Sequence, residues 1–416
     1  MNDAQTKRDS WEYFLLRAAR DISLSEAQYE KIIDRYSQLE RILSATDSPL
    51  LAEAHIFSQG SIRLKTTINP VSGAPADLDT IDADAIVWLP HAQGAQAHEI
   101  LEAIEQRFKR GSRVQEGIQQ LRRGIRIVYA DENPGFHIDV TPARAINGNT
   151  EGNGEGKLEV PDRVTGWKAS SPIPYSNWLQ AASNQKIALE NRGMVFAKGR
   201  PTFDAATQDP LPDYQDYVDP DPLRATIKLL KRHRDEWAIR TRNEEHRPIS
   251  AVITTLATHA YLDVARESQS KPLRPLDAIL EIVRRMPQYI RYWSGDCFVF
   301  NPADSGENFA EKWNRPNVGQ RYRQAFTDWH ASASKSVSLG LESFDSATSF
   351  AEAVKENFGM EPAFISAVNN DIPPNWTMPG RPDGTTRNSA SLATLVGGMS
   401  NSGSSQTSVK PVGRLG

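Results

Sequence analysis

Two carboxylates one residue apart open an apolar run. Asp82-Ala83-Asp84 passes straight into Ala85-Ile86-Val87-Trp88-Leu89, which Pro90 ends. Such a run reads as a buried strand. Strand side chains alternate, so Asp82 and Asp84 share one face, and the apolar continuation places them at the strand's open end. A third carboxylate, Asp139, lies in a second short strand, Phe136-His137-Ile138-Asp139-Val140-Thr141-Pro142. On a neighbouring strand it would complete a triangle of hard oxygen ligands, which suits Mg²⁺ together with phosphate oxygens. Two ions about 4 Å apart can activate a hydroxyl nucleophile and stabilise a leaving pyrophosphate. Upstream, Gln59-Gly60-Ser61 forms a turn whose backbone N–H groups can approach a phosphate, with the Ser61 hydroxyl as a further donor.

The surrounding pattern is α+β. Helices are predicted over 9–20, 24–45 and 97–109, with Ser23 or Ser25 as the N-cap of the second. Strands are predicted over 54–57, 81–89, 125–129 and 136–141. After Pro222 the texture turns helical, with helices expected at 223–241, 250–267, 275–289, 306–335 and 347–357. The expected organisation is a core over 1–215, a helical lobe over 216–378 that closes a cleft, and a flexible tail over 379–416. The tail holds no aromatic residue and one apolar island at 392–396, too little to offset ordering entropy. The glycine-rich stretch 147–158 does not join a strand to a helix and reads as a linker.

Composition narrows the class. The 48 Lys and Arg against 52 Asp and Glu give 48 − 52 = −4, which argues against a histone-like partner. One cysteine, Cys297, excludes an internal disulfide and a cysteine zinc cage. The opening residues lack an apolar core of a signal peptide, and no apolar run reaches the length of a membrane span. A cytoplasmic protein is expected. Trp293, Trp313 and Trp329 read as core or interface, Cys297 as a buried thiol, and His137 as structural.

Each motif alone is common. In order, they resemble the nucleotidyltransferase superfamily of DNA polymerase β, oligoadenylate synthase and cyclic GMP-AMP synthase. More closely, Gln59-Gly60-Ser61 with Thr67-Ile68-Asn69-Pro70, the Asp139 strand, and Ile227-Lys228-Leu229-Leu230-Lys231-Arg232-His233-Arg234-Asp235 look like the bacterial cGAS/DncV-like nucleotidyltransferases (CD-NTases) of CBASS anti-phage systems. Pro248-Ile249-Ser250, Asn301-Pro302, Asn308-Phe309 and Trp313 fit that family's helical half. The resemblance spans about residues 10–370 and implies a polymerase-β-like core with a mixed sheet, a mostly helical lobe and a disordered C-terminal tail.

It also implies an activity. Nucleoside triphosphates, ATP among them, would be joined into a cyclic di- or trinucleotide for a separate effector. Asp82, Asp84 and Asp139 would be the catalytic metal ligands for two Mg²⁺ ions, with Mn²⁺ as a substitute. Gln59, Gly60, Ser61, Lys228, Lys231 and Ser250 would contact the nucleotide, with Lys231 favoured over Lys228 for the triphosphate. The plainer reading of Lys228, Lys231, Arg232 and Arg234 is a solvated helix face, and of Ser250 an N-cap. A second pair, Asp77-Leu78-Asp79, has the spacing from Gly60-Ser61 that many relatives use. The physical argument favours Asp82 and Asp84, because the apolar strand must follow the ligands directly. A macromolecular acceptor such as tRNA or protein, and a catalytically silent nucleotide-binding scaffold, remain as rival functions. The tail ends at Gly416, a terminus like those of ubiquitin-like modifiers. It is a candidate conjugation point for a ubiquitin-transfer-like partner, with an ordinary frayed end or a docking island at 392–396 as alternatives.

Overall fold

The computed structural model describes residues 3–111, 117–129, 134–146, 154–190, 211–215 and 221–389. Helices α1 (Asp3–Asp21) and α2 (Glu26–Ser44) come first. The sheet region follows: β1 (His55–Gln59), the single turn α3 (Gly60–Arg63), β2 (Thr80–Trp88), α4 (Ala97–Gly111), β3 (Ile118–Gln120), β4 (Ile125–Tyr129), β5 (Gly135–Ala145), β6 (Leu158–Asp162) and β7 (Gly166–Ser170). Then come α5 (Pro172–Asn184), α6 (Pro222–Thr241), α7 (Ser250–Ser268) and α8 (Pro275–Arg285). Two small hairpins, β8 (Arg291–Trp293) with β9 (Asp296–Phe298) and β10 (Phe300–Asn301) with β11 (Asp304–Asn308), precede α9 (Gly319–Ser336), α10 (Ala347–Phe358) and α11 (Pro362–Asp371).

The sheet is mixed. Its order is β1-β2-β5-β4-β3, with β6 on β5 and β7 on β6. The central pair β2–β5 is parallel and the flanking pairs are antiparallel. Alternation along β2 explains its two-sided packing. Ile81, Ala83, Ala85 and Val87 face α2 and α4 in a core with Ile32, Leu39, Ile100, Ile104 and Phe108. Ile86 and Trp88 face the other way, packing with Phe57, Leu158 and Val160. Each large apolar side chain so withdrawn contributes about 1.5–3 kcal/mol. Asp82 and Asp84 lie on this second face, at the end where its apolar packing stops.

The helical core draws on both ends of the chain. Trp11, Phe14 and Leu15 of α1 and Leu179 of α5 pack with Leu230 of α6, Leu256 and Tyr261 of α7 and Trp329 of α9. Ser25 caps α2 through a capping box with Gln28, and Asp221 caps α6 ahead of Pro222.

Two expectations change. The region 306–335 is not one helix: β11, a 3-10 turn at Glu311–Asn314 and α9 share it. Asn308 Oδ1 accepts from the Val299 and Ala310 backbone N–H groups, and Asn314 Oδ1 from Cys297. These side chains offer the backbone alternatives to a helix. The segment 379–389 is folded onto the helical lobe, where the Gly380 N–H donates to the Gly340 carbonyl and the Phe344 N–H to the Gly380 carbonyl. Gly380, at φ +70°, lies so close to Phe350 that a Cβ would stand 2.1 Å from its ring. The remaining tail, including 392–396 and Gly416, lies outside the described residues, as does 147–153. Among the described residues no helix is long and apolar enough to cross a membrane.

Candidate active site

Register builds the site. The parallel pairing sets Asp84 beside Asp139 and Asp82 beside His137. The antiparallel neighbours add Gln59 opposite Asp84 and Arg126 opposite Asp139. Residues paired across a sheet point to the same face. Four strands therefore present one row, Gln59–Asp84–Asp139–Arg126, with Asp82 and His137 one step along. Arg126 donates to both oxygens of Asp139, at 2.7 and 2.8 Å. His137 Nε2 lies 2.7 Å from Asp82 Oδ1.

The charges in this row are uneven. Loss of solvation, then repulsion from Asp82 and Asp139, pushes the Asp84 carboxyl well above the usual carboxylate range. Loss of solvation also raises Asp139, although Arg126 opposes it. At Asp82 loss of solvation works upward, but the His137 hydrogen bond and the charges of His137, Arg126 and Lys231 outweigh it and hold the group low. Asp82 is the most open of the three, its side chain 57% exposed. Ligand atoms of Asp82, His137 and Asp139 lie within 4.8 Å of one another. Mutually repelling carboxylates with hard oxygen donors fit a divalent cation such as Mg²⁺, whose charge would relieve the repulsion.

The Gly60-Ser61 side of the row is fixed from below. Gly60 adopts φ +59° at the end of β1, and a Cβ there would stand 2.1 Å from Asp84 Oδ2. Only glycine allows the turn to pass this close to the carboxylate. Ser61 Oγ accepts from the Thr67 hydroxyl at 3.2 Å. Behind this turn, α6 reaches the following segment with three cations. Arg224 Nε donates to the Leu64 carbonyl at 2.8 Å, Lys231 Nζ to Thr66 at 2.8 Å and Arg232 to Asn69 at 2.7 Å. These cations are buried, as are Lys228 and Arg234, so the solvated-face reading is wrong. Burial, with the charge of Arg234 adding to it, lowers the Lys231 ammonium to about 8, while Asp82 and Asp84 pull the other way. Lys228 donates to Ser23 Oγ at 2.8 Å, and burial lowers it to about 7.

A cleft of about 220 Å³ opens here, lined by Gln59, Gly60, Ser61, Asp84, Ser250 and Glu307 among others. The structure thus brings Gln59, Gly60, Ser61, Asp84 and Ser250 to one cavity. Asp82 and Asp139 stand beside it in the strand row, and Lys231 senses Asp82 and Asp84 from beneath. Lys228 is tied to Ser23 instead. Asp77 and Asp79 lie in the 3-10 turn before β2, where Asp77 pairs with Arg247 at 2.7 Å. Ser250 is the first residue of α7, not its cap, and its Oγ accepts from Arg234 at 3.1 Å. His137 is more than structural, since it holds Asp82. Its place two residues before Asp139 put it on the same strand face. Arg126 gave no such signal in the sequence.

A family model described as the Second Messenger Oligonucleotide or Dinucleotide Synthetase domain matches residues 11–183. A c-di-GMP synthase of Roseivirga ehrenbergii is 22% identical over 322 residues, 76% of this chain and 77% of that protein. The CD-NTase CdnG of Bradyrhizobium diazoefficiens, solved in complex with GTP, is similar with a TM-score of 0.63 at 19% identity, over 86% of this chain and 97% of that one. E. coli MS115-1 CdnC, solved in a complex with a HORMA protein, gives 0.51 at 12% identity, over 83% and 96%.

Proposed function

We propose that this chain, which carries a second-messenger oligonucleotide or dinucleotide synthetase domain on the cGAS/DncV-like nucleotidyltransferase fold, joins nucleoside triphosphates into a cyclic di- or trinucleotide. The observation that carries this reading is the placement of Asp82, Asp84 and Asp139 on one sheet face beside the Gly60-Ser61 cleft. A ribose hydroxyl oxygen forms a bond to the α-phosphorus of a second triphosphate. The bond from that phosphorus to the bridging oxygen breaks, pyrophosphate leaves with the electron pair, and the hydroxyl proton passes to water. A second transfer closes the ring of a dinucleotide and a third that of a trinucleotide, each releasing one pyrophosphate. Mg²⁺, or Mn²⁺ in its place, would be held by Asp82, Asp84 and Asp139 and would supply Lewis acidity and a lowered hydroxyl pKa.

The protein's own groups do the positioning. Arg126 and His137 fix the outer carboxylates. Gln59, Ser61 and Ser250 face the cleft and orient the donor phosphates, and the Lys231 ammonium offsets their charge. Lys228, held by Ser23, has the weaker claim to that role. We assign the product to signalling through a separate effector in phage defence, with Gly416 as a conjugation point for a regulatory partner. Both rest on the resemblance of the motifs.

The purified protein with all four labelled triphosphates and Mg²⁺ should yield a phosphatase-resistant cyclic product without any macromolecular acceptor. Asp82→Asn with Asp84→Asn should remove it, and EDTA should stop the reaction until Mg²⁺ or Mn²⁺ is returned. Label found only on added tRNA or protein would favour the macromolecular acceptor. Full activity in the double variant, with loss in Asp77→Asn/Asp79→Asn, would move the ligand set to the earlier pair.

A further inference from the structure

The far wall of the same cleft is built from the β10–β11 hairpin, and its chemistry differs from the phosphate side. Glu307 lines it, with Asn301, Phe309 and Tyr175. Glu307 Oε2 is engaged: it accepts from Asn301 Nδ2 at 2.8 Å and from the Ser171 backbone N–H at 3.3 Å. Oε1 has one long contact, from the Ser170 hydroxyl at 3.4 Å. Among the described residues no Lys, Arg or His forms an ion pair with this carboxylate. Its orientation is fixed, because Asn301 is itself buried and its Oδ1 accepts from the Ala303 N–H. Phe309 packs edge-on against Tyr175, with ring centroids 5.2 Å apart, and Tyr175 is anchored through its hydroxyl to Thr255 at 2.8 Å. The wall is therefore a rigid apolar surface bearing one oriented acceptor group that lacks a cation.

Three donors already face the carboxylate, but only one, at 3.4 Å, reaches Oε1, so the group keeps capacity for further donors from a ligand. The partner is defined by that chemistry. A carboxylate offers only acceptors. Of the four bases, guanine alone presents two adjacent donors on its pairing edge, the ring N–H and the exocyclic amine. Adenine and cytosine each set a donor beside an acceptor, and uracil flanks its single donor with carbonyls.

We propose that Glu307 reads the pairing edge of guanine, making a guanosine triphosphate the preferred occupant of the position whose phosphates face Gly60-Ser61. The inference rests on the nucleotidyltransferase reading and adds the base. Glu307 acts on specificity alone: it lies on the hairpin wall, apart from the carboxylate row.

The test measures binding and products separately. Equilibrium binding of GTP and of ATP to the full chain in Mg²⁺ should favour GTP by about tenfold or more, since a site with buried polar groups rejects a base that leaves them unpaired. In Glu307→Gln the amide pairs one acceptor with one donor, the complement of adenine. Its GTP affinity should fall by about tenfold or more and the preference should turn toward ATP, with a shift to adenine-containing product. Glu307→Asp keeps the charge but shortens the reach. It should weaken GTP binding without turning the preference, and it guards against misfolding of the glutamine variant. A wild type that binds ATP and GTP equally overturns the proposal. So does an unchanged preference in Glu307→Gln, the result expected if the carboxyl were held neutral and behaved like its amide. No product from any triphosphate mixture, with the binding preference intact, would instead count against the synthase reading and leave this one standing.

Discussion

Gly60 holds the tightest steric constraint on the site. Its positive φ and the 2.1 Å approach to Asp84 Oδ2 leave no room for a methyl group. Gly60→Ala must displace either the carboxylate or the Gly60-Ser61 turn, and the left-handed conformation adds about 1–2 kcal/mol of strain. The variant should fold, with only a small fall in melting temperature, and lose about a hundredfold in kcat, because a displacement of about 1 Å at reacting groups costs that much. Near-full turnover would show that Asp84 tolerates the displacement. At this scale the sequence was partly legible. The apolar run after Asp84 gave away the shared face of Asp82 and Asp84 before any fold was known. The partners of those carboxylates were hidden. Arg126 meets Asp139 and His137 meets Asp82 only through strand register, which depends on residues far apart in the chain.

Among the elements, α6 departs most from its surface reading. Its apolar positions were legible, with Leu223, Ile227, Leu230 and Trp237 buried as their spacing predicts. Its cations were not. Lys and Arg count as polar in any periodicity, so nothing local announces that Arg224, Lys231 and Arg232 turn inward to backbone carbonyls. The consequence is a double role for Lys231. Lys231→Ala leaves the Thr66 carbonyl without its donor, at about 1–3 kcal/mol. It also removes the ammonium beneath Asp82 and Asp84. Differential scanning calorimetry should show a lower melting temperature, and steady-state kinetics a raised KM for triphosphate in the fraction that stays folded. A variant that loses stability but keeps its KM would make the lysine purely a tether. The 306–335 region departs from its helical pattern for a related reason. Asn308 and Asn314 spend their side chains on backbone groups, a non-helical use that residue periodicity does not register.

For the molecule as a whole, the mixed sheet and the helical part were foreseeable from the order of patterns. The return of α1 into the helical core was not, because it joins Asp3–Asp21 to helices that begin about two hundred residues later. That core also sets a pH response. Burial lowers His233 to about 3 and depresses His259 and His330, so all three favour the neutral form when folded. An unfolded chain takes up those protons as pH falls below about 6.5, and the native state resists, so stability from these groups is present above that pH and lost below it. Raised carboxyls such as Glu12 act in the opposite sense at lower pH. A variant isolates the histidine. Relative to His233→Gln, the wild type should lose about 1 kcal/mol between pH 6.5 and 5.5, with the slope approaching about 1.4 kcal/mol per unit at lower pH, read from denaturant midpoints. A constant difference would mean that His233 takes up its proton as readily in the fold as in the unfolded chain. The tethering of 64–69 by α6 carries one more consequence. The helix grips peptide oxygens, which any residue type supplies, so these three tethers survive substitution in the segment, while the Arg232 bond to the Asn69 side chain and the burial of Leu64, Thr66 and Thr67 still depend on residue type. Drift at its solvent-facing positions would leave the turn seated, whereas a single neutral replacement among the three helix cations would loosen it. The geometry beside Asp84 is thus inherited through α6, more than a hundred positions along the chain from the segment it holds.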